Sequence, residues 1–215
     1  MRNKIKIHIN AYNEDYNVKR AQRKWDFLKN NISTKIKKIL DFGGNVGDTA
    51  RTYGDILGLD KKSVYVVDID EWSGEKWKPR ADITFVHYNN MDKIPSNSID
   101  LITIFHVLHH INPNDYPNII DTFNRILSKD GVIILYEHNS YHEPFSLLID
   151  LEHMLYDVVT SKKMTYEEFV LDFYAEYLKL EQWQNIFSKH FTVCKSIIPH
   201  SIDRSFYLFL KRICL

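Results

Sequence analysis

The sequence has little cysteine, glycine or proline for its length. Its 215 residues include two cysteines, seven glycines and six prolines. Cys194 and Cys214 are too few for a disulfide framework, so we expect a reducing compartment and a cytoplasmic location. No apolar run approaches the length of a membrane span, and the first residues lack the apolar segment of a signal peptide. Neither a membrane anchor nor a secretory leader is therefore expected.

The few glycines are concentrated in one place. Gly43, Gly44 and Gly47 follow a short apolar run that ends in Asp41, and residues that can begin a helix come next. Glycines allow positive φ and close approach of a ligand, and Asn45 tolerates the left-handed region better than most residues. Twenty-one residues beyond Gly47, a second apolar run ends in Asp68. This spacing is typical of a carboxylate that binds ribose hydroxyls, so the pattern predicts a nucleotide-like ligand.

Charge near the turn indicates which nucleotide would bind. A pyrophosphate at this helix N-terminus would meet Asp41 and Asp48, and like charges in a confined site repel. A ligand with a ribose, a sulfonium and an ammonium but no phosphate suits the same place, which describes S-adenosyl-L-methionine. The motifs from about Ile39 to Glu137, including the run from Ser98 to His110, resemble the core of class I methyltransferases.

The resemblance implies an α/β fold with a seven-stranded, mostly parallel Rossmann-like sheet and helices on both faces. One domain is expected over 1–215, with a basic arm and helix at 1–37 and a helical lid at 140–180, inserted after strand five. Besides strands one and two, we expect strands at 83–87, 99–105, 132–137, 192–198 and 205–210, an edge strand or arm at 4–9, and a turn at 128–131. Helices are expected at 15–30, 49–58, 116–127, 144–160, 165–180 and 181–190.

The resemblance also implies which residues hold the cofactor. The family usually has an acid after strand three to accept from the adenine amino group, and here the side-chain carbonyl of Asn90 can accept that bond. Two basic residues of the first helix are predicted to reach the methionyl carboxylate. The full predicted set is Arg20, Lys24, Asp41, Gly43, Gly44, Asn45, Gly47, Asp68, Ile69, Asn90, Met91 and Phe105.

The acceptor is predicted from weaker signals. The run Leu108-His109-His110 is similar to the Leu-His-Tyr run of mRNA cap guanine-N7 methyltransferases. Residues 1–40 carry 11 Lys and Arg against 3 Asp and Glu, and basic termini suit capped RNA. A+T-rich composition fits a capping enzyme of a large DNA virus, in which such a domain belongs to a longer polypeptide. Predicted substrate contacts are His106, His109, His110, Glu137, Tyr174 and Tyr207.

Two other functions stay open. A small-molecule methyltransferase would use His109 or Glu137 as a general base when the acceptor is a hydroxyl, whereas guanine N7 needs none. A methyltransferase fold without activity that binds a partner is the other alternative. No metal site is expected. His138 and His142 lie four residues apart, but Pro144 argues against the helix that would bring them to one face, and no HExxH or Cys/His zinc spacing occurs.

Overall fold

The computed structural model describes residues 14–69, 80–140, 143–161, 173–199 and 205–213. Within these ranges the helices are α1 (Glu14–Leu28), α2 (Asp48–Ile56), α3 (Tyr116–Ile126), α4 (Glu143–Ser161) and α5 (Leu180–Phe187). The strands are β1 (Ile39–Phe42), β2 (Val64–Asp68), β3 (Thr84–His87), β4 (Ile99–Phe105), β5 (Leu127–His138), β6 (Phe191–Ile197) and β7 (Ser205–Arg212).

All seven strands form one sheet in the order β3-β2-β1-β4-β5-β7-β6. The first five strands pair in parallel, and β7 is antiparallel to both β5 and β6. In the centre, Ile39 of β1 pairs with Val64 of β2 and with Leu101 of β4. The predicted seven-stranded, mostly parallel α/β sheet is thereby confirmed.

Helices cover both faces of the sheet because its central strands are apolar on both sides. All four residues of β1 are buried, as expected for a strand between two layers. On one face α1 packs Ala21, Trp25 and Leu28 against α2 and the sheet, while Val18 is half-buried. On the other face α3 and α5 bury their apolar residues in a second core.

Two predicted elements differ from the structure. The expected turn at 128–131 lies inside β5, where pairing jumps from Ile99–Leu127 to Leu101–Val132 and leaves these residues as a bulge. The second helix of the insertion was expected to continue to residue 180, but residues 173–179 have no regular structure. Their backbone bonds elsewhere, since the Glu176 amide donates to the His109 carbonyl at 2.7 Å. The predictions for 4–9 and 165–172 lie outside the described residues.

The sequence predicted no segment long and apolar enough to span a membrane. Within the described part of the chain, no helix combines the length and apolar character needed to cross a bilayer.

Candidate active site

A cleft of about 800 Å³ opens at the carboxyl ends of β1, β2 and β4, where the strand order reverses direction. Ligands of open α/β sheets bind at such switch points. The residues that line the cleft come from the ends of the strands, from the turns after them, from α4 and from the segment 173–179. They are Phe42, Gly43, Asn45, Val67, Asp68, Ile69, Tyr88, His106, Val107, His110, Ile111, Asn112, Asp115, His153, Phe173 and Tyr174.

The glycine-rich turn after β1 forms one wall of the cleft, and its shape requires glycine at two positions. Gly43 and Gly47 have φ of 69° and 94°, and Asn45 also has positive φ, at 52°. A Cβ at Gly43 would lie 2.3 Å from Val107 Cγ2, and one at Gly47 would lie 2.4 Å from Ile83 Cδ1. Side chains are therefore excluded there by both conformation and space, and the backbone faces the cleft directly.

Asp68 ties the end of β2 to this turn. Its Oδ2 accepts from the Asn45 amide at 2.9 Å, and its Oδ1 accepts from the Ile69 amide at 2.8 Å. Each carboxylate oxygen can accept more than one hydrogen bond, so both can also accept from a ligand. A diol at the predicted ribose position therefore fits the residues present.

Asp41 is buried behind the turn, and the half-buried Lys24 is near enough to influence its charge. Thr103 Oγ1 donates to Asp41 Oδ1 at 2.5 Å. Burial raises the pKa of Asp41 to about 6, against the opposing effects of Thr103 and Lys24. The Lys24 ammonium lies 4.4 Å from the centroid of the Phe105 ring, and burial, with repulsion from Arg20, lowers its pKa to about 8.

Several predicted cofactor residues do not line the cleft. Arg20 is exposed on α1, whereas Lys24 and Phe105 lie against each other. Asn90 is half-buried in the turn after β3, and Met91 is in the core at 6% exposure. In that turn Tyr88 lines the cleft instead. Gly43, Asn45, Asp68 and Ile69 line it as predicted, although the cofactor contacts themselves stay predictions.

The turn after β4 is held by a buried carboxylate. Glu137 Oε1 accepts from the Val107 and Leu108 amides at 2.9 and 2.8 Å, and its Oε2 lies 2.6 Å from His109 Nδ1. Burial alone would raise the pKa of Glu137, but His109 and the backbone bonds outweigh it and hold that pKa below its usual value. Glu137 and His109 are 0% and 1% exposed. Their burial is at odds with the prediction that they touch the substrate.

Tyr207 also lies away from the cleft. It is 5% exposed and stacks on Tyr136 of the neighbouring strand, with ring centroids 4.2 Å apart. The predicted contact with substrate conflicts with this place in the core. His106, His110 and Tyr174, by contrast, line the cleft, and their contact with a substrate stays a prediction.

Five histidines meet around the turn after β4 and form what we call the histidine cluster: His106, His109, His110, His138 and His153. His106 has φ of 57° at the end of β4, and its ring lies 4.2 Å from that of His138. Burial lowers the pKa of His106 well below its usual value and that of His138 to about 3, with repulsion between the imidazoles adding to both shifts. These two rings are therefore neutral at pH 7.

The insertion brings His153 and three aromatic residues to this cluster. Tyr177 donates to Asp150 Oδ1 of α4 at 2.8 Å, and His110 Nδ1 lies 2.9 Å from the Tyr174 carbonyl oxygen. Sequence reasoning missed His153, because no motif links α4 to the turn after β4. Tyr88 and Val107 were also missed, although Tyr88 directly follows one predicted strand and Val107 lies two residues after another.

Comparison with known families decides the class. A family profile described as a methyltransferase domain matches residues 12–205. The chain belongs to this methyltransferase family. No protein of curated function matches the sequence.

Solved structures share the methyltransferase fold at low identity. A protein from Pyrococcus horikoshii OT3 superposes with a TM-score of 0.63 at 16% identity, covering 95% of this chain and 94% of the other. A SAM-dependent methyltransferase from Methanosarcina mazei gives 0.61 at 15% identity, over 86% and 97% of the two chains. Magnesium protoporphyrin IX methyltransferase from Synechocystis PCC 6803, with bound SAH, gives 0.57 at 14% identity, over 91% and 83%. At such identity the likeness is one of fold.

The methyltransferase is an S-adenosyl-L-methionine-dependent enzyme, and the cleft fits that cofactor. The glycine turn exposes backbone, Asp68 offers acceptors to a diol, and both Asp41 and Asp68 favour a cation over a phosphate. The other acid of the charge argument, Asp48, lies 3.6 Å from the Arg80 guanidinium and accepts from Asn17, so its charge is partly offset there.

Proposed function

We propose that this methyltransferase acts on a small acceptor that carries no phosphate and binds between histidine and aromatic side chains. One observation carries the proposal: among the described residues that line the cleft there is no lysine or arginine. A phosphorylated acceptor such as a capped RNA needs cations for its phosphates. The same cleft offers rings instead, from His106, Phe173 and Tyr174.

The chain's contribution to catalysis is alignment and exclusion of water. When bound, the cofactor supplies a methyl group on a positively charged sulfur, which is electrophilic. The glycine turn and Asp68 fix one side of the cleft, and the turn held by Glu137 fixes the other. Holding acceptor and methyl donor in line removes the entropic cost of their encounter.

We propose an acceptor atom that already holds a reactive lone pair. Burial and mutual repulsion lower the pKa of His106 and that of His138, so these neutral rings are weak bases. Such rings would remove a proton from an alcohol poorly. We therefore infer an amine, a ring nitrogen or an ionisable thiol or phenol as the acceptor group.

The cap guanine is a second candidate because the mouth of the cleft has faces on which a purine can stack. His110 and Tyr174 lie there, and Tyr174 is 46% exposed. The missing cations and the burial of Glu137, which was expected to bind the guanine edge, weigh against it.

A cytoplasmic location remains part of the proposal and is supported by the free, exposed thiol of Cys194.

A methyl-transfer assay with labelled cofactor separates the candidates. The acceptors are GpppA-capped RNA and a panel of small amines, N-heterocycles, thiols and phenols, with product identification after digestion or chromatography. We expect transfer to a small acceptor and none to RNA. Formation of 7-methylguanosine would overturn the proposal, as would the absence of transfer to any small acceptor from a preparation that binds the cofactor.

His110→Ala and Tyr174→Ala test the acceptor site in the same assay. Each substitution should raise KM for the acceptor and leave cofactor affinity unchanged, because both side chains line a part of the cleft away from the glycine turn. His190→Ala is the control, since His190 bonds to Asp121 on the far side of the sheet.

A further inference from the structure

The histidine cluster contains buried nitrogens that have no hydrogen-bond partner. In the described part of the chain these are Nδ1 of His106, Nε2 of His109 and Nδ1 of His138. Buried polar atoms are nearly always paired, and several orphans in one place indicate a ligand, an ion or water. Two of these nitrogens belong to His109 and His138, which lie together with His153 at a spacing that one ion could bridge.

His109 is oriented as a metal ligand would be. Its Nδ1 lies 2.6 Å from Glu137 Oε2, so Nδ1 carries the proton and Nε2 holds a lone pair. A carboxylate that fixes the tautomer of a histidine in this way is the usual outer partner of a metal-ligating imidazole. The carboxylate also accepts from two backbone amides, which keeps it in place.

His153 has a matching tautomer. Its Nδ1 lies 3.0 Å from the Ile149 carbonyl oxygen, to which only an N–H can donate, and this leaves the lone pair on Nε2. The Tyr177 hydroxyl lies 3.1 Å from the same Nδ1 and donates to Asp150, so it can accept there as well. Hydrogen bonds thus hold the ring of His153 from its outer side.

We propose that His109, His138 and His153 bind one divalent transition-metal ion. One ligand atom from each lies within 4.8 Å of the other two. Zinc binds imidazole nitrogen at about 2.0–2.1 Å, which places tetrahedral ligand atoms roughly 3.4 Å apart, so small rotations of the rings close the site. An all-imidazole set suits zinc, copper, iron or nickel and not magnesium or calcium.

An ion held between these residues would lie at the edge of the cleft, because His153 lines the cleft while His109 is buried behind it. Three protein ligands with one open position are the pattern of a zinc site that binds water or substrate. This metal site goes beyond the proposed acceptor, and it departs from the expectation of no metal. His109 and His153 lie 44 residues apart in sequence, so no local spacing signals the site.

The test uses the full chain without a polyhistidine tag, stripped with a chelator and then loaded with Zn²⁺ or Co²⁺. We expect one ion per chain after gel filtration, measured by elemental analysis, and the intense visible bands of four-coordinate Co²⁺. His138→Gln and His153→Gln should each weaken binding at least tenfold in competition with a chromophoric chelator. Glu137→Gln should weaken it by about 10–100-fold, as loss of an outer partner does.

His190→Gln is the matched control, because His190 pairs with Asp121 outside the cluster, and it should bind the metal as the parent does. Should a cluster variant fail to fold, the stoichiometry and the Co²⁺ spectrum of the parent decide. Binding of less than one ion, an octahedral Co²⁺ spectrum, or equal loss in His190→Gln would overturn the proposal. In those cases water occupies the cluster.

Discussion

At the scale of single residues, the buried Asp41 carboxylate destabilises the folded protein at neutral pH. Its ordinary pKa of 3.8 rises to about 6 because the carboxyl is buried, and the hydrogen bond from Thr103 offsets only part of that shift. Between these two pH values the unfolded chain binds fewer protons than the folded one. The contribution of Asp41 to the free energy of unfolding is therefore greatest below pH 4. That contribution falls as the pH rises through 6.

Asp41→Asn should stabilise the protein at pH 7 by about 2–3 kcal/mol, since one pKa unit corresponds to about 1.4 kcal/mol. The amide oxygen can still accept from Thr103. Urea unfolding at pH 4 and at pH 7 measures the effect, which should be small at the lower pH. Asp92→Asn, at an exposed carboxylate, is the control. Equal stability of parent and variant at pH 7 would contradict the assigned pKa.

Asp68 is the residue whose loss should most affect the cofactor. Asp68→Ala removes a carboxylate that holds the Asn45 amide and faces the cleft. Cofactor affinity should fall by about 1.5–3 kcal/mol, as for hydrogen bonds to a charged group. Calorimetry with S-adenosylhomocysteine measures it, with exposed Asp60→Ala as the control. Unchanged affinity in Asp68→Ala would defeat the assignment.

Asn45 has a conformation that few side chains accept. With φ of 52°, it should tolerate replacement by glycine, although glycine loses the bond from the Val46 amide to the Asn45 side chain. Asn45→Val should weaken cofactor binding by roughly 1–2 kcal/mol, because a β-branched residue is strained in the left-handed region. The same calorimetry compares the two variants. If valine binds the cofactor as well as glycine does, the turn does not need this conformation.

At the scale of elements, the turn after β4 depends on a strand that is not its neighbour in sequence. Glu137 of β5 accepts from the amides of Val107 and Leu108, at the start of the short 3-10 turn Leu108–His110. The segment 173–179 then packs on the same turn through the bond from the Glu176 amide to the His109 carbonyl. One buried carboxylate thus supports both the cleft wall and the lid contact.

Glu137→Gln should destabilise the fold by about 1.5–3 kcal/mol, the range for a hydrogen bond to a charged group. Glutamine keeps an acceptor for the amides but presents an N–H to His109. Urea unfolding of the chelator-treated protein measures the loss without any contribution from metal. Exposed Glu181→Gln should have no effect. A Glu137→Gln protein as stable as the parent would show that the carboxylate is not the anchor of the turn.

At the scale of the whole molecule, a net charge of zero conceals an uneven distribution. Residues 1–40 are basic, whereas Asp68 and Asp115 are the charged residues among those described that line the cleft. The basic segment and the reaction centre therefore have different electrostatic character. The two acidic side chains of the cleft disfavour a polyanionic acceptor, and a neutral one fits beside them without an ion pair.

Methyl transfer to the small acceptor should accordingly depend little on salt. Raising salt from about 50 to 200 mM reduces the affinity of a protein with many phosphate contacts on the order of a thousandfold or more. Here we expect a change in kcat/KM of less than about threefold, since no screened charge pair aligns the acceptor. Steady-state kinetics over this range provides the measurement. A steep loss of kcat/KM with salt would instead favour a phosphorylated acceptor.

The sequence by itself determined the class of fold and the place of the glycine turn and Asp68 beside one cleft. Apolar runs, the glycine turn and Asp68 are local patterns, and the ends of adjacent parallel strands must meet at one edge of a sheet. Strands β2 and β4 accordingly lie at their predicted positions.

Only the tertiary structure decided the acceptor half. The packing of α4 and 173–179 on the turn after β4 brings His153 to His109, and it arises from contacts between distant residues. The sequence predicted that Glu137 contacts the substrate. In the folded chain its carboxylate is buried instead, because it accepts the hydrogen bonds of two backbone amides in the turn after β4. No spacing in the sequence carries that information.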